Sequence, residues 1–358
     1  MWKKLYPFLT PLSFWAMLMA VSCSTDHGGD ELPGSGETCA VEFRLGGENT
    51  RVTDVSDADE SRVDHWAVFV FDPSTGLTVA SGTSSSAAPI RKTLPVGTYS
   101  ACALVNYPVS GAGALDPDAV RSESALRGTV AFLADNAPGS LEMSGQKTVA
   151  LRAGTSSEQI PVERLVSKVR VRKVTVRLSN PALAAQNFIL DGMWLDNVYS
   201  QTTWGADYEA GQLSGTRSLW YNTMDWHATG SCLSPACPDV LLGERNIAAV
   251  IPQNGSHGVL HTFYVIPNAT PAEMDSRSAV WSKRCTRLVL QATVGVKTCY
   301  YVVTLPALQR NHSYTIEEAV ITRLGSEDPE QEIPGALDLL FSTSDPDWEG
   351  PRTVSEQS

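Results

Sequence analysis

Residues 38–45, with the sequence TCAVEFRL, alternate strictly between two kinds of side chain. Cys39, Val41, Phe43 and Leu45 occupy every second position, and smaller or charged residues occupy the positions between them. Successive side chains of a β-strand point to opposite faces, so this period of two predicts a strand with one buried face. Short apolar runs rich in Val, Leu and Tyr recur between segments rich in Gly, Pro, Ser and Thr. This organisation favours an all-β sandwich architecture.

The buried face changes parity between two pairs of valines further along the chain. Val169 and Val171 share one parity, whereas Val174 and Val176 share the other. A strand can do this only at a bulge, at a bend or where it crosses between two sheets. We place a domain boundary just before this point, near Ile160.

Basic side chains cluster around the change of parity. A ligand-binding face and a solvated strand face both fit the pattern, and we interpret it as a solvated face. The residues concerned are Arg164, Lys168, Arg170, Arg172 and Lys173.

The start of the chain has the pattern of an export signal. Lys3 and Lys4 precede an apolar run at residues 12–21, which has the length of a signal-peptide core and is too short to span a bilayer. The small residues before Cys23 resemble a bacterial lipobox, so we expect Cys23 to be acylated and to become the first residue of a membrane-tethered chain. An ordinary cleaved signal with an incidental cysteine is the alternative. Residues 24–37 are predicted to form a flexible tether.

The net charge and the length of the chain bear on its partners and on its number of domains. The 358-residue chain has a net charge of −12, which argues against nucleic acid as a partner because phosphate binding needs a basic face. About 335 residues follow Cys23, and this length is comfortable for two domains. No later segment contains 18 uninterrupted apolar residues, so none is predicted to span a membrane.

The chain has seven cysteines, and five remain to be assigned after Cys23 and Cys39, which lies in the strand at residues 38–45. Cys102 lies in a strand-like run and is expected to be a buried free thiol. Export permits disulfides, and the last four cysteines allow three pairings. We prefer Cys232 with Cys237 and Cys285 with Cys299. A zinc site at Cys232 and Cys237 is the alternative.

The sequence contains no recognisable catalytic motif. It has no nucleophile elbow, phosphate loop or dinucleotide fingerprint, so we expect neither an enzyme nor a cofactor. His257 and His261 are four residues apart, but a Gly-Ser turn and a strand carry them, not one helix face. We therefore predict no metal site. The other histidines are His27, His65, His227 and His312.

Several segments, taken in order, resemble the fimbrillin family of Bacteroidetes pilus subunits. The clearest are FYVIPN at residues 263–268 and RNHSY at residues 310–314. The others are the early strand ending in Phe-Asp (63–72), the Gly-Thr-Tyr strand ending in Asn (97–106), RLVSKV (164–169) and the closing Asp-Trp-Glu (347–349).

The resemblance implies two transthyretin-like β-sandwich domains in tandem. It also implies a lipoprotein precursor that an arginine-specific surface protease trims, so that removal of the first strand opens a groove for a strand of another subunit. We expect cleavage between Arg51 and Val52, in a polar context, and an ordinary loop arginine at position 51 is the alternative. Arg44, inside the strand, and Arg62 are poorer sites.

The end of the chain supplies a candidate donor strand. Leu337, Leu339 and Phe341 repeat the alternation of residues 38–45, near the terminus, as a replacement strand requires. Burying these three side chains should contribute roughly 1.5–3 kcal/mol each before ordering costs.

The predicted organisation therefore has five parts. They are a signal peptide (1–22), a tether with the removable strand (23–51), two β-sandwiches (52–160 and 161–332), and a donor strand with a polar tail (333–358). The predicted function is that of an adhesive pilus subunit at the bacterial outer membrane, either a stalk subunit or an accessory or tip subunit. Its predicted partners are other pilus subunits, the protease and, through the lipid on Cys23, the membrane. A carbohydrate-binding surface lipoprotein is the alternative, because the aromatic residues at 194–226 could stack on sugars instead of forming core.

Overall fold

The computed structural model describes residues 36–46, 60–111, 113–205, 220–221, 239–268 and 285–344. Strands dominate these residues, and the few helices are short. The predicted all-β class is confirmed. The described residues from Glu37 onwards belong to one compact unit. The division of this unit into two domains therefore stays a prediction.

The first group of strands begins with the segment quoted above. The strands are β1 (Thr38–Gly46), β2 (Trp66–Phe71), β3 (Thr78–Ser84), β4 (Ile90–Pro95), β5 (Gly97–Val105), β6 (Val130–Phe132), β7 (Met143–Leu151), β8 (Gly154–Pro161) and β9 (Glu163–Arg164). One short helix, α1 (Glu123–Gly128), and the 3-10 turns Pro117–Ala119 and Leu133–Asp135 lie between β5 and β7.

The second group of strands follows without a long gap. The strands are β10 (Ser167–Val171), β11 (Val174–Val176), β12 (Phe188–Asp196), β13 (Val198–Tyr199), β14 (Gln201–Thr203), β15 (Trp220–Tyr221), β16 (Gly243–Glu244), β17 (Ala249–Val250), β18 (Ser256–His257), β19 (His261–Val265), β20 (Arg287–Val294), β21 (Lys297–Thr304), β22 (Ser313–Ile321) and β23 (Leu337–Ser344). The helices in this part are α2 (Pro181–Ala184) and α3 (Asp239–Leu242).

Two sheets enclose the first core. The order of the smaller is β4-β1-β8 and that of the larger is β3-β2-β5-β7-β9. All six residues of β2 are buried and it pairs on both sides, as expected for a central strand. One face of β2, with Trp66, Val68 and Val70, packs towards β1. The opposite face, with Phe69 and Phe71, packs against a second cluster that includes Trp204.

Two further sheets enclose the largest core cluster. In one sheet, β22 pairs with β10 and β11 along one edge and with β23 along the other. On their far sides, β10 pairs with β19 and β11 pairs with β18. In the other, the order is β16-β12-β20-β21, and β17 also pairs with β12. Side chains of both sheets meet in one apolar cluster. This part of the chain is therefore also a sandwich.

The predicted change of parity falls between two strands. β10 ends at Val171 and β11 begins at Val174, and both run parallel to β22. The interruption at Arg172 and Lys173 lets the valines of both strands face the same core. The boundary that we expected near Ile160 lies inside β8. The last strand of the first sandwich, β9, ends later, at Arg164.

The interpretation of the basic cluster as a solvated face is wrong for three of its five members. Arg164, Lys168 and Arg170 are buried, and only Arg172 and Lys173 lie half in solvent. The period of two in the sequence cannot show that Glu60 and Ser61 bond to Arg164 and Lys168 on the polar face.

Candidate functional site

β1 lies in the middle of its sheet, with a partner on each side. It runs antiparallel to β4 from Thr38↔Pro95 to Phe43↔Ile90, and parallel to β8 from Cys39↔Gly154 to Gly46↔Pro161. Both backbone edges of the strand are therefore hydrogen-bonded. If β1 left, β4 and β8 would each lose the strand that they pair with in the described sheet, and the two edges that flank the gap would be open. Open edges invite another strand.

The apolar face of β1 is completely enclosed. Cys39, Val41, Phe43 and Leu45 have exposed fractions of 0–1%, and they pack with residues of β2, β5 and β8 in the first core. Full burial of a Val, Leu or Phe side chain contributes about 1.5–3 kcal/mol. The four predicted residues of the removable strand thus lie in one row, and removing them would open an apolar groove along the sandwich.

The outer face of β1 carries an exposed charge cluster. The side chains of Arg44 and Arg91 each donate a hydrogen bond from Nε to the Glu42 carboxylate, at 2.7 Å. Hydrogen bonding from Arg44, and then from Arg91, lowers the pKa of Glu42. Arg91 belongs to β4, so Glu42 links β1 to its neighbour across the solvated face. Exposed ion pairs of this kind contribute little to stability.

Residues 161–164 hold both ends of the connection that follows β1. Gly46 pairs with Pro161, and its carbonyl oxygen accepts a hydrogen bond from the Val162 N–H at 3.1 Å. On the far side, Arg164 Nε donates to the carbonyl oxygen of Glu60 at 3.1 Å. Thirteen residues, 47–59, join these two points. Arg51 and Val52 are among them and lie outside the described residues.

Glu60 is fixed by a buried polar network. Its Oε2 lies 2.7 Å from Lys168 Nζ, and its Oε1 accepts a hydrogen bond from the Tyr264 hydroxyl. The exposed fractions of the Lys168 and Glu60 side chains are 2% and 3%. Arg164 adds a hydrogen bond from Nη2 to Ser61 Oγ at 3.1 Å. Buried charges persist only when they are paired and hydrogen-bonded, so this network fixes the chain at residue 60 to both sandwiches.

The candidate donor strand is β23, and it occupies the edge of a sheet in its own chain. It runs antiparallel to β22 from Leu337↔Ile321 to Ser344↔Ser313. This segment is therefore paired within its own chain and is not free in the monomer. Leu337, Leu339 and Phe341 pack on the core but are only partly buried, and Leu340 on the other face is 61% exposed. The apolar side chains of β23 are therefore less completely buried than those of β1.

The described cysteines do not form the predicted disulfide. Cys299 is a buried free thiol, so its pairing with Cys285 is wrong. The hairpin explains why: Cys299 lies opposite Ala292, seven residues from Cys285, which is roughly 23 Å along an extended strand. A disulfide needs Cα atoms within about 7 Å of each other. Cys102 is a buried free thiol, as expected, and burial raises its pKa to about 12. Cys23, Cys232 and Cys237 lie outside the described residues.

Four aromatic side chains of the 194–226 region belong to the core. Trp194, Tyr199, Trp204 and Tyr221 have exposed fractions of 0–3%. The guanidinium of Arg245 lies over the Trp194 ring, 4.7 Å from its centroid. None of these four rings offers a face to a sugar.

His257 and His261, for which the sequence predicted no metal site, form a cluster with Glu244. The Nε2 atoms of His257 and His261 lie 3.1 Å apart, and Nδ1 of His261 lies 2.7 Å from Glu244 Oε2. Burial, and then the neighbouring His261, lower the pKa of His257. The signal in the sequence was the parity change at Arg172 and Lys173, because these residues lie beside the histidine-bearing strands.

The described residues contain no set of three or more metal ligands and no membrane-spanning helix. In these ranges, no group of three or more His, Cys, Asp or Glu side chains is arranged so that all of them could hold one metal ion. Nor does any helix there have the length and apolarity needed to cross a membrane.

The fold is an all-β one of paired sheets in which the first strand is enclosed between two neighbours. Solved structures share it over almost their whole length. A proposed cell adhesion protein from Bacteroides eggerthii matches with a TM-score of 0.62 at 16% identity, over 88% of this chain and 98% of its own. A second, from Parabacteroides distasonis, matches with a TM-score of 0.59 at 14% identity, over 86% and 99%. A fimbrilin from Porphyromonas gingivalis matches with a TM-score of 0.55 at 14% identity, over 90% and 99%.

Comparison at the level of sequence gives no assignment. No protein-family profile matches the chain, and no curated protein matches it. At identities of 13–16% the structural matches establish a shared fold.

Proposed function

We propose that this chain is a structural subunit of a cell-surface pilus of the fimbrillin family, matured by proteolysis and assembled by donor-strand exchange. The observation that carries the proposal is β1: it is near the start of the chain, central in its sheet and completely enclosed on its apolar face. A strand of this kind can be removed by one cut in the following loop, and its loss leaves an apolar groove with two open edges.

Cleavage between Arg51 and Val52 fits the anchoring on both sides of the connection. The cut would separate β1 from Glu60 without touching the contacts of Glu60 with Lys168 and Arg164. A cut after Arg62 would instead detach Glu60 from the trimmed chain and leave Lys168 buried without its carboxylate partner. A cut after Arg44 would have to open paired strand. Arg51 is therefore the site that we propose for an arginine-specific protease.

β23 of a neighbouring subunit is the proposed replacement strand. With Leu337, Leu339 and Phe341 in the places of Cys39, Val41 and Phe43, a phenylalanine again fills the phenylalanine pocket. The incoming strand must run parallel to β8, as β1 does. Because donor and groove are different surfaces, the contact is heterologous and extends a filament instead of closing a dimer.

The β23 segment has weaker contacts in its own subunit than β1 has in the groove. Its three apolar side chains are partly buried, whereas those of β1 are fully buried. Transfer of β23 from its own sheet edge to a vacant groove would therefore bury these three side chains more completely. This difference in burial favours insertion of β23 into a neighbour's groove once β1 has been removed.

The start of the chain would determine where assembly takes place. Acylation of Cys23 would hold the precursor at the outer membrane until cleavage releases residues 23–51 with β1. The trimmed subunit would then stay at the surface through its neighbours. We propose a role in adhesion and no catalytic activity. The burial of Trp194, Tyr199 and Trp204 weighs against sugar binding by these residues.

The test is an Arg51→Ala variant expressed in the native host. We expect an uncut, lipidated precursor and no filaments by electron microscopy, whereas the wild type gives filaments. Arg62→Ala is the matched control, and it should be cut and assembled normally. Normal filaments from Arg51→Ala would overturn the cleavage site, and lipid labelling that Cys23→Ala does not abolish would overturn the anchor.

A further inference from the structure

An irregular sheet edge brings His257 and His261 together. Val171 pairs with His261 and Val174 pairs with His257. Two residues, 172 and 173, therefore lie opposite three, 258–260, and the extra residue makes a bulge. Four residues of straight strand would separate these histidines by about 13 Å along the strand. Bulges re-aim side chains, and here the two Nε2 atoms lie 3.1 Å apart.

Glu244 fixes the chemical form of the inner histidine. It reaches His261 from β16, a strand of the facing sheet, and its Oε2 lies 2.7 Å from His261 Nδ1. A carboxylate only accepts hydrogen bonds, so Nδ1 carries the hydrogen, and Nε2 of neutral His261 has a free lone pair. That lone pair points at Nε2 of His257. A carboxylate behind a histidine is the usual outer partner of a metal-bound imidazole.

We propose that His257 and His261 form a two-histidine site for a divalent transition metal of the zinc class, oriented by Glu244. Two nitrogen ligands at 2.0–2.1 Å from a tetrahedral zinc ion lie about 3.3 Å apart, close to the separation of the two Nε2 atoms. Without metal, a hydrogen on His257 Nε2 bridges the gap. With metal, His257 carries its hydrogen on Nδ1, so binding needs no net loss of a proton.

The surroundings leave room for the remaining ligands. His257 is half-buried, residues 258–260 are exposed, and the Glu244 side chain is 56% exposed. Water would complete the coordination shell, since only two protein ligands converge. Neutral imidazole suits zinc, copper and nickel, whereas calcium and magnesium prefer oxygen ligands.

The experiment is calorimetric titration of the full chain, made without a histidine tag, with zinc chloride and with calcium chloride. We expect saturable binding of one zinc ion and none of calcium. His257→Gln should weaken zinc binding at least about tenfold, and Glu244→Ala about tenfold to a hundredfold. His312→Gln is the matched control and should bind as the wild type does, because His312 bonds to the Arg310 carbonyl in another part of the sheet.

Two further measurements make the result decisive. A Cys232→Ser/Cys237→Ser double variant should keep its zinc affinity, and loss of binding there would move the site to the cysteines and overturn the proposal. If His257→Gln does not fold, ¹⁵N spectra of the wild type replace it: zinc should shift the Nε2 resonances of His257 and His261 and leave His312 unchanged. Absence of zinc binding to the wild type, or equal binding by His257→Gln, would also overturn the proposal.

Discussion

Nζ of Lys168 lies 2.7 Å from Oε2 of Glu60, and both side chains are almost completely buried. This ion pair ties the segment that follows the proposed cleavage loop to the first strand of the second sandwich. Tyr264 and Arg164 complete the hydrogen bonding around it. The trimmed chain would therefore keep a fixed starting point eight residues after the cut.

Lys168→Met should destabilise the protein by about 3–5 kcal/mol, because it leaves the Glu60 carboxylate buried without its cation. Urea unfolding followed by circular dichroism measures the change. Lys173→Met is the matched control: Lys173 pairs with Glu318 at 3.2 Å but is 43% exposed, so its loss should cost less than about 1 kcal/mol. Equal effects of the two substitutions would contradict the role given to the buried pair.

Phe43→Ala should destabilise the precursor by about 3–5 kcal/mol and leave the trimmed protein unchanged. The side chain is fully buried in the first core, but it departs with residues 23–51. Thermal unfolding before and after proteolysis checks both halves. Arg44→Ala, on the solvated face of the same strand, should have little effect. A trimmed Phe43→Ala protein that remained less stable than trimmed wild type would show that β1 had not left.

A peptide of residues 333–344 should bind the trimmed protein but not the precursor, whose groove is still filled. Leu339→Asp in the peptide should abolish binding, because it places a carboxylate in an apolar pocket. Leu340→Asp is the control and should be tolerated, since Leu340 lies on the opposite, exposed face. Titration with a fluorescent peptide distinguishes them. Equal binding by the two substituted peptides would refute the proposed register.

Glu142→Gln should stabilise the protein at neutral and alkaline pH. Asn136 donates to Glu142 Oε2 at 3.0 Å, whereas within the described residues Oε1 has no hydrogen-bond partner. Burial raises the pKa of Glu142 well above its usual value. In the wild type, the stability contributed by the protonated Glu142 carboxyl is therefore complete below the unfolded-state pKa of a glutamate. It is lost as pH rises towards the folded-state pKa.

The measurement is stability against pH for both proteins. The Glu142→Gln profile should fall less steeply above about pH 4 to 5, where an unfolded glutamate ionises. Parallel profiles would mean that Glu142 keeps an ordinary pKa in the folded chain.

The strand pattern was largely predictable from the sequence, whereas the long-range contacts were not. The alternation of Cys39, Val41, Phe43 and Leu45 predicted both the strand and its buried face. The parity of Val171 and Val174 predicted the interruption between β10 and β11. These features are local, because side-chain period follows directly from backbone geometry.

The burial of Lys168 could not be predicted, because its partner Glu60 lies 108 residues away in sequence. The approach of His257 to His261 depends on a bulge that only the pairing with β10 and β11 defines. The pairing of β23 with β22 could not be predicted either. The alternation of apolar residues in β23 would suit the edge of β22 and the groove of another subunit equally well.

The most direct test of the central claim is the N-terminal residue of this protein in purified surface filaments. Removal of β1 before assembly predicts Val52, with residues 23–51 absent. Filaments whose subunits begin at Cys23 would contradict the account, because β1 would then still fill the groove that the next subunit needs.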